Sequence, residues 1–324
     1  MIVELPGLFD LQVNGFGGID FNAADLTADR VGEALQRMRS TGVTRCLPTL
    51  ITSSFEQFAA SARVLSRMTC AAIAGIHMEG PYVSPEDGAR GAHPREHVKP
   101  ATVDDFNRRQ DAAGGRIVLV TLAPEVAGAV RLVEHLVAAG VRVAIGHTAA
   151  TSEQIADAIA AGATLATHLG NGCAQMLPRH PNVIWELLAA DAVLASVIVD
   201  GHHLPPATVK AMVRAKGERR TILVTDAVAA AGCAPGRYTI GNVTSELSAD
   251  GRVSLPGTPY LAGSALTLDR AIANTVRFTG LAIDDVVPMA STIPASCLGM
   301  TTAGTVSAEW IPDSGTLDVR RVSA

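Results

Sequence analysis

Gly75-Ile-His-Met-Glu-Gly-Pro81 is a short apolar run that breaks off at a polar tip, and the same form recurs along the chain. Val143-Ala-Ile-Gly-His-Thr148, Leu165-Ala-Thr-His-Leu169 and Ile222-Leu-Val-Thr-Asp-Ala227 repeat it. Eight such runs, at residues 7–13, 43–50, 72–79, 116–122, 141–146, 164–168, 194–199 and 221–226, read as strands. They are continuously apolar rather than alternating, as strands covered on both faces should be. Helical spacing fills the intervals: residues 28–41 end at Gly42 and residues 126–139 at Gly140. Residues 152–161 follow a capping box, Thr151 with Gln154, and stop at Gly162. A β-then-α order repeated eight times predicts the α/β class and a closed (β/α)8 TIM barrel. The alternative is a doubly wound open sheet, but Gly15-Phe-Gly-Gly18 after strand one lacks the dinucleotide spacing.

Residues 237–260 interrupt the alternation. The run from Arg237 to Leu247 and the run Gly251-Arg-Val-Ser-Leu255 read as a β-hairpin joined through Ala249-Asp-Gly251, an insertion after strand eight reaching over the barrel mouth. Helices are expected at 264–279 and 283–291. The tail, 305–322, reads as two short strands around Pro312-Asp-Ser-Gly315. The expected organisation is a barrel over residues 1–300 and a short β tail over 301–324.

Bulk properties narrow the function. The chain has 324 residues, 48% hydrophobic and 18% charged, enough apolar material for a large core. A net charge of −5 supplies no basic field for a nucleic-acid backbone. No apolar stretch reaches the ~18 residues of a membrane span. Cys46, Cys70, Cys173, Cys233 and Cys297 are widely spaced and odd in number, which suits a reducing, cytoplasmic setting rather than a disulfide framework.

The tips carry the chemistry. Glu79, His147 and His168 would end strands three, five and six, and Asp226 strand eight. In a barrel of this type reactive groups gather at the C-terminal ends of the strands. One Glu and two His suit zinc with a position left open for water; iron and manganese also fit. Such an ion brings the pKa of a bound water to about 7. Asp226 is then placed to accept the water's proton and pass it to a leaving nitrogen. The arrangement points to metal-assisted hydrolysis.

At these residues the chain resembles the amidohydrolase superfamily, and most closely the N-acetylglucosamine-6-phosphate deacetylase family. The matching stretches include Pro6-Gly-Leu-Phe-Asp-Leu-Gln-Val-Asn-Gly15, Leu47-Pro-Thr-Leu-Ile-Thr52, His77-Met-Glu-Gly-Pro81, Gly146-His-Thr148, Ala166-Thr-His-Leu169, Asp200-Gly-His-His203, Leu223-Val-Thr-Asp-Ala227 and Leu261-Ala-Gly-Ser264. The resemblance puts the metal ligands on Glu79, His147 and His168 and the acid/base on Asp226. It puts a histidine near the substrate carbonyl on His93, next to Ala92, and sugar contacts on Asn171, Gly172, His203, Leu261 and Gly263. A phosphate-contacting arginine falls on Arg179, reaching the neighbouring subunit's site, which implies a homodimer. Where many superfamily members carry HxH at the end of strand one, this chain has Gln12-Val-Asn14. Amides are poor zinc ligands beside imidazole, so a single-metal site is expected.

Three departures bear on the substrate. The family ordinarily begins with a further segment forming half of a small β-sandwich, so only a remnant of that domain is expected here. The loop Thr167-His-Leu-Gly-Asn-Gly-Cys-Ala-Gln-Met176 differs at its usual aromatic and methionine positions, with Gln175 where an aromatic is common. His202 is an additional imidazole beside His203. The resemblance implies deacetylation of N-acetylglucosamine 6-phosphate, or a related N-acetyl amino sugar phosphate, to the amino sugar and acetate. The rival expectations are an amidohydrolase acting on another N-acyl or cyclic amide, and a non-catalytic sugar-phosphate binding protein.

Overall fold

The computed structural model describes residues 1–241, 243–258 and 260–323. Within the expected hairpin, residues 242 and 259, and in the tail residue 324, lie outside the described residues. Eight parallel strands follow one another in chain order in a single sheet: β1 (Leu8–Val13), β2 (Val43–Ile51), β3 (Ile76–Glu79), β4 (Ile117–Leu122), β5 (Arg142–Ile145), β6 (Leu165–Ala166), β7 (Leu194–Val197) and β8 (Thr221–Leu223). Eight helices alternate with them: α1 (Ala28–Arg39), α2 (Phe55–Arg67), α3 (Val103–Ala112), α4 (Ala129–Ala138), α5 (Ser152–Ala160), α6 (Val183–Ala189), α7 (Pro206–Lys216) and α8 (Leu268–Thr279). This is the (β/α)8 barrel expected from the pattern of apolar runs.

The chain divides into two compact units. One comprises Leu50–Arg67 and Gly75–Val197. Its strands β3 to β7 are paired in parallel, with Glu79 opposite Thr121, Leu122 opposite Ile145, and Ala166 opposite both Ile145 and Ala195. Three of its helices, α3, α5 and α6, start where short polar side chains take up orphan N–H groups. Thr102 accepts from Asp105 N before α3, and Thr151 with Gln154 makes the expected capping box before α5. Asn182 accepts from two amides at the start of α6.

The other unit comprises Met1–Thr49, Met68–Ala74 and Ile198–Ala324. Within it β1 pairs with β2 from Leu8 opposite Val43. Val13 also bridges Ala227, so β1 lies beside the segment leaving β8. Every residue of β1 is buried, Asp10 and Gln12 included.

Several expectations are corrected. Four strand runs, those of β5 to β8, end sooner than their apolar character suggested, three of them just before a residue of positive φ. At His147, His168 and Asp226 the backbone turns to φ 51°, 31° and 50°, which ends extended geometry at those points. The insertion has three strands rather than two, at Gly236–Ile240, Val243–Leu247 and Val253–Ser254. Gly241, at φ 55°, takes the left-handed conformation that lets the chain reverse inside the run read as one strand. The tail strands Thr305–Ile311 and Thr316–Val322 are present, and Ile2–Pro6 joins them as a third antiparallel strand. That strand pairs with residues some 300 positions away, Ile2 opposite Glu309, and no local pattern announces such pairing.

Candidate metal centre

Glu79 is the last residue of β3, and His147 and His168 stand just beyond β5 and β6. All three side chains are buried. Glu79 Oε1 lies 3.2 Å from His147 Nε2 and 3.2 Å from His168 Nε2. The two Nε2 atoms are 3.0 Å apart. Their donor atoms form a compact set able to hold a metal ion. Donors about 2.0–2.2 Å from a tetrahedral zinc stand roughly 3.3 Å from one another, close to the spacing found.

The tautomer of His147 supports the same fit. Its Nδ1 lies 3.2 Å from the Ala89 carbonyl oxygen, which only accepts, so the ring proton sits on Nδ1 and the Nε2 lone pair faces Glu79 and His168. Burial raises the Glu79 carboxyl, but the His147 and His168 imidazoles beside it hold it well below the usual carboxylate range. The residues present therefore fit a divalent cation bound by one carboxylate and two imidazoles.

Close backbone approach completes the cradle. Gly172 sits against the rings at φ 56°, and a Cβ there would come 2.9 Å from His147 Nδ1 and 3.1 Å from His168 Cε1. Its carbonyl accepts from Thr148 N, while Asn171 Nδ2 donates to the His168 carbonyl. His93, also buried, places Nε2 3.2 Å from His147 Nε2 and Nδ1 2.7 Å from the Thr52 hydroxyl. Burial, then the neighbouring His147, lowers its pKa to about 3, so the ring is neutral. Thr52 and the Ala89 carbonyl were not singled out from the sequence; Thr52 stands just past the end of β2, and that tip position was the available signal. Ala92 beside His93 is exposed. Arg179 is exposed too, and only its backbone carbonyl is engaged, accepting from Asn182.

The remaining residues belong to the other compact unit. Asp226 lies three residues past the end of β8. Its Oδ1 accepts from Gln12 Nε2 at 3.1 Å and Asn14 Nδ2 at 2.7 Å. Beneath it Thr225 donates its hydroxyl to Asp10 Oδ2 at 2.6 Å. Burial pushes the Asp10 carboxyl up to about 7, against the pull of the Thr225 hydroxyl. Asp10 was the charged exception in an apolar run and carried no assigned role. Gly263, at φ 71°, backs onto Val228 and the Asp226 carbonyl, with Leu261 half-buried two residues before it. His203 pairs with Asp200, while His202 Nε2 lies 3.2 Å from the Asp250 carbonyl oxygen in the insertion.

Among the described residues, His147, His168 and Asp226 are the only non-glycine residues with positive φ. Such conformations cost on the order of 1–3 kcal/mol each and collect at functional sites. The strain thus falls on three residues chosen from the sequence for their chemistry.

The comparisons agree with this geometry. The chain is 34% identical over 312 residues to N-acetylglucosamine-6-phosphate deacetylase of Bos taurus, covering 91% of this chain and 74% of that protein. It is 33% identical over 300 residues to N-acetylgalactosamine-6-phosphate deacetylase of Escherichia coli O157:H7, covering 91% and 78%. The crystal structure of N-acetyl-D-glucosamine-6-phosphate deacetylase from Mycobacterium smegmatis superposes with a TM-score of 0.91 at 33% identity, over 99% of this chain and 86% of that one. The profile of the amidohydrolase family matches residues 3–318. With its barrel, its Glu-His-His cluster and this match over nearly its full length, the chain belongs to the amidohydrolase family.

Proposed function

We propose that this protein is a single-metal amide hydrolase that removes the acetyl group from N-acetylglucosamine 6-phosphate or a closely related N-acetyl amino sugar phosphate. The observation that carries the reading is the buried cluster of Glu79, His147 and His168, with Nε2 and Oε1 atoms 3.0–3.2 Å apart. Glu79, His147 and His168 would hold the metal, and zinc suits this donor set best, with iron and manganese as the other candidates. A divalent ion there supplies Lewis acidity to an amide carbonyl and lowers the pKa of a water.

The protein's own groups carry the rest. Asp226, oriented by Gln12 and Asn14 donating to one of its oxygens, takes a proton from the attacking water. The same carboxyl then returns the proton to the leaving nitrogen, giving acetate and the free amine. His93, neutral and buttressed by Thr52, donates an N–H to the carbonyl oxygen as charge develops on it. Ala92, Asn171, Gly172, His203, Leu261 and Gly263 make the sugar contacts in this reading.

Arg179 is exposed, and its guanidinium has no partner among the described residues. In this reading it serves the phosphate of a substrate bound in a neighbouring copy, and the working unit is a homodimer. Five free cysteines suit a cytoplasmic setting, and among the described residues no helix is long and apolar enough to cross a membrane.

The test is direct. Protein loaded with zinc should release acetate from N-acetylglucosamine 6-phosphate, and Asp226→Asn should lower kcat by about a thousandfold. Acetate release at the wild-type rate in that variant sinks the mechanism. Arg179→Ala should raise KM for the phosphorylated sugar far more than for the plain one. If the plain sugar is the better substrate and Arg179→Ala leaves turnover unchanged, a different N-acyl substrate is the better reading.

A further inference from the structure

The segment just past β7 contains a buried pair, Asp200 and His203, of which the proposed function uses only the histidine. Asp200 Oδ2 lies 2.6 Å from His203 Nδ1, and both side chains are 8% exposed. Asp200 Oδ1 accepts from the backbone N–H groups of His202 and His203, each at 2.8 Å. One carboxylate therefore closes the turn with one oxygen and holds the imidazole with the other. Gly201, at φ 86°, supplies the left-handed residue that lets Asp200 fold back over its own backbone.

The proton between the pair can be assigned. Burial alone would raise the Asp200 carboxyl, but the His203 ring and the two backbone donors hold it below its ordinary value. An ionised carboxylate only accepts, so the hydrogen is on His203 Nδ1. His203 Nε2 has no hydrogen-bond partner among the described residues. His202 differs, since its Nε2 is occupied by the Asp250 carbonyl. Loops at the C-terminal ends of barrel strands are where such folds present ligand-contacting groups.

We propose that Asp200 is a positioning residue: it anchors His203 through Nδ1–H, so that Nε2 is the ring atom offered to the bound amino sugar. The kinetic part rests on the deacetylase reading above; the assignment of the tautomer does not. Replacement by asparagine separates orientation from protonation. In Asp200→Asn the amide oxygen would still accept from the two backbone groups. The amide nitrogen would donate to His203 Nδ1 and drive the neutral ring to the Nε2–H form.

The experiment uses the full-length zinc-loaded protein labelled with 15N at histidine, with the His203 signals identified by their loss in His203→Phe. The wild type should show neutral His203 as the Nδ1–H tautomer, and Asp200→Asn should reverse it. Asp200→Ala should raise KM for N-acetylglucosamine 6-phosphate at least about tenfold with kcat little changed, the cost of a hydrogen bond involving a charged group. Asp200→Asn should recover most of that loss. Added to His203→Phe, Asp200→Ala should raise KM no further, because the carboxylate acts through the ring.

A wild-type ring found as neutral Nε2–H overturns the proposal. So does a rise in KM from Asp200→Ala that persists in the His203→Phe background. If the wild type releases no acetate, the deacetylase reading fails, and the spectrum still decides the role of Asp200.

Discussion

Asp226 shows how one residue is made ready by its neighbours. Two amides donate to the same carboxylate oxygen, Asn14 at 2.7 Å and Gln12 at 3.1 Å. The sequence showed these amides as replacements for metal-binding histidines; the structure shows them fixing a carboxylate. Asn14→Ala removes the shorter bond, so kcat should fall about tenfold. Metal content by elemental analysis should stay as in wild type, because Asn14 is not one of the clustered donors. An unchanged kcat would show that the amide does not orient the base. Asp10 offers a second residue-scale test. Folding raises its carboxyl from 3.8 to about 7 by burial, so the folded chain holds a proton that the unfolded chain releases across that interval. Stability from this group therefore falls as pH rises from about 4 to about 7, and is level above. Asp10→Asn removes the titration and keeps acceptors and donors for Thr225 and Gln12. Urea unfolding should show the variant gaining on wild type as pH rises to 7, by on the order of a few kcal/mol. A pH-independent difference between the two would contradict the raised value.

At the scale of elements, the strand ends decide what was legible. Eight apolar runs gave the barrel because a strand buried on both faces needs no partner in sequence to be recognised. Glu79, His147, His168 and Asp226 were readable because polar residues at the tips of such runs have few structural reasons to be there. The run from Arg237 to Leu247 misled, because it was read without a break at Gly241, where the apolar positions shift from Tyr238 and Ile240 to Val243 and Leu247 and the left-handed φ marks the reversal. The strand Ile2–Pro6 was missed because its partners, residues 305–309, are remote. Thr52 and the Ala89 carbonyl were missed for a related reason. Supporting contacts to His93 and His147 come from loops whose path the sequence does not fix. The loop after β6 makes this testable. Gly172 is at φ 56° and has no room for a Cβ beside His147 and His168. Gly172→Ala should weaken zinc binding at least about tenfold, the scale seen when groups that orient ligands are disturbed. Competition with a chromogenic chelator measures this, with circular dichroism confirming the fold. Wild-type affinity in the variant would mean that the loop does not shape the cluster.

For the whole molecule, the metal-ligand cluster is an unfavourable packing arrangement that a cation would make favourable. One carboxylate and two imidazoles are buried with their donor atoms facing one another, and no disulfide links any of the five cysteines. Ligands this close release protons and gain a common partner when a divalent ion enters, so binding should be coupled to folding stability. An ion that binds only the folded state at 100 times its Kd adds about 2.7 kcal/mol. For a chain above 250 residues, roughly 2 °C of melting temperature follows each kcal/mol, so zinc should raise Tm of the stripped protein by about 5 °C. The unit containing all three ligands, Leu50–Arg67 with Gly75–Val197, should show the larger gain in amide-exchange protection. His168→Ala removes one donor and should abolish most of the shift, whereas Asp226→Asn should keep it, because Asp226 carries protons in this scheme and does not hold the ion. An equal zinc shift in His168→Ala would place the ion elsewhere, and loss of the shift in Asp226→Asn would make that carboxylate a ligand.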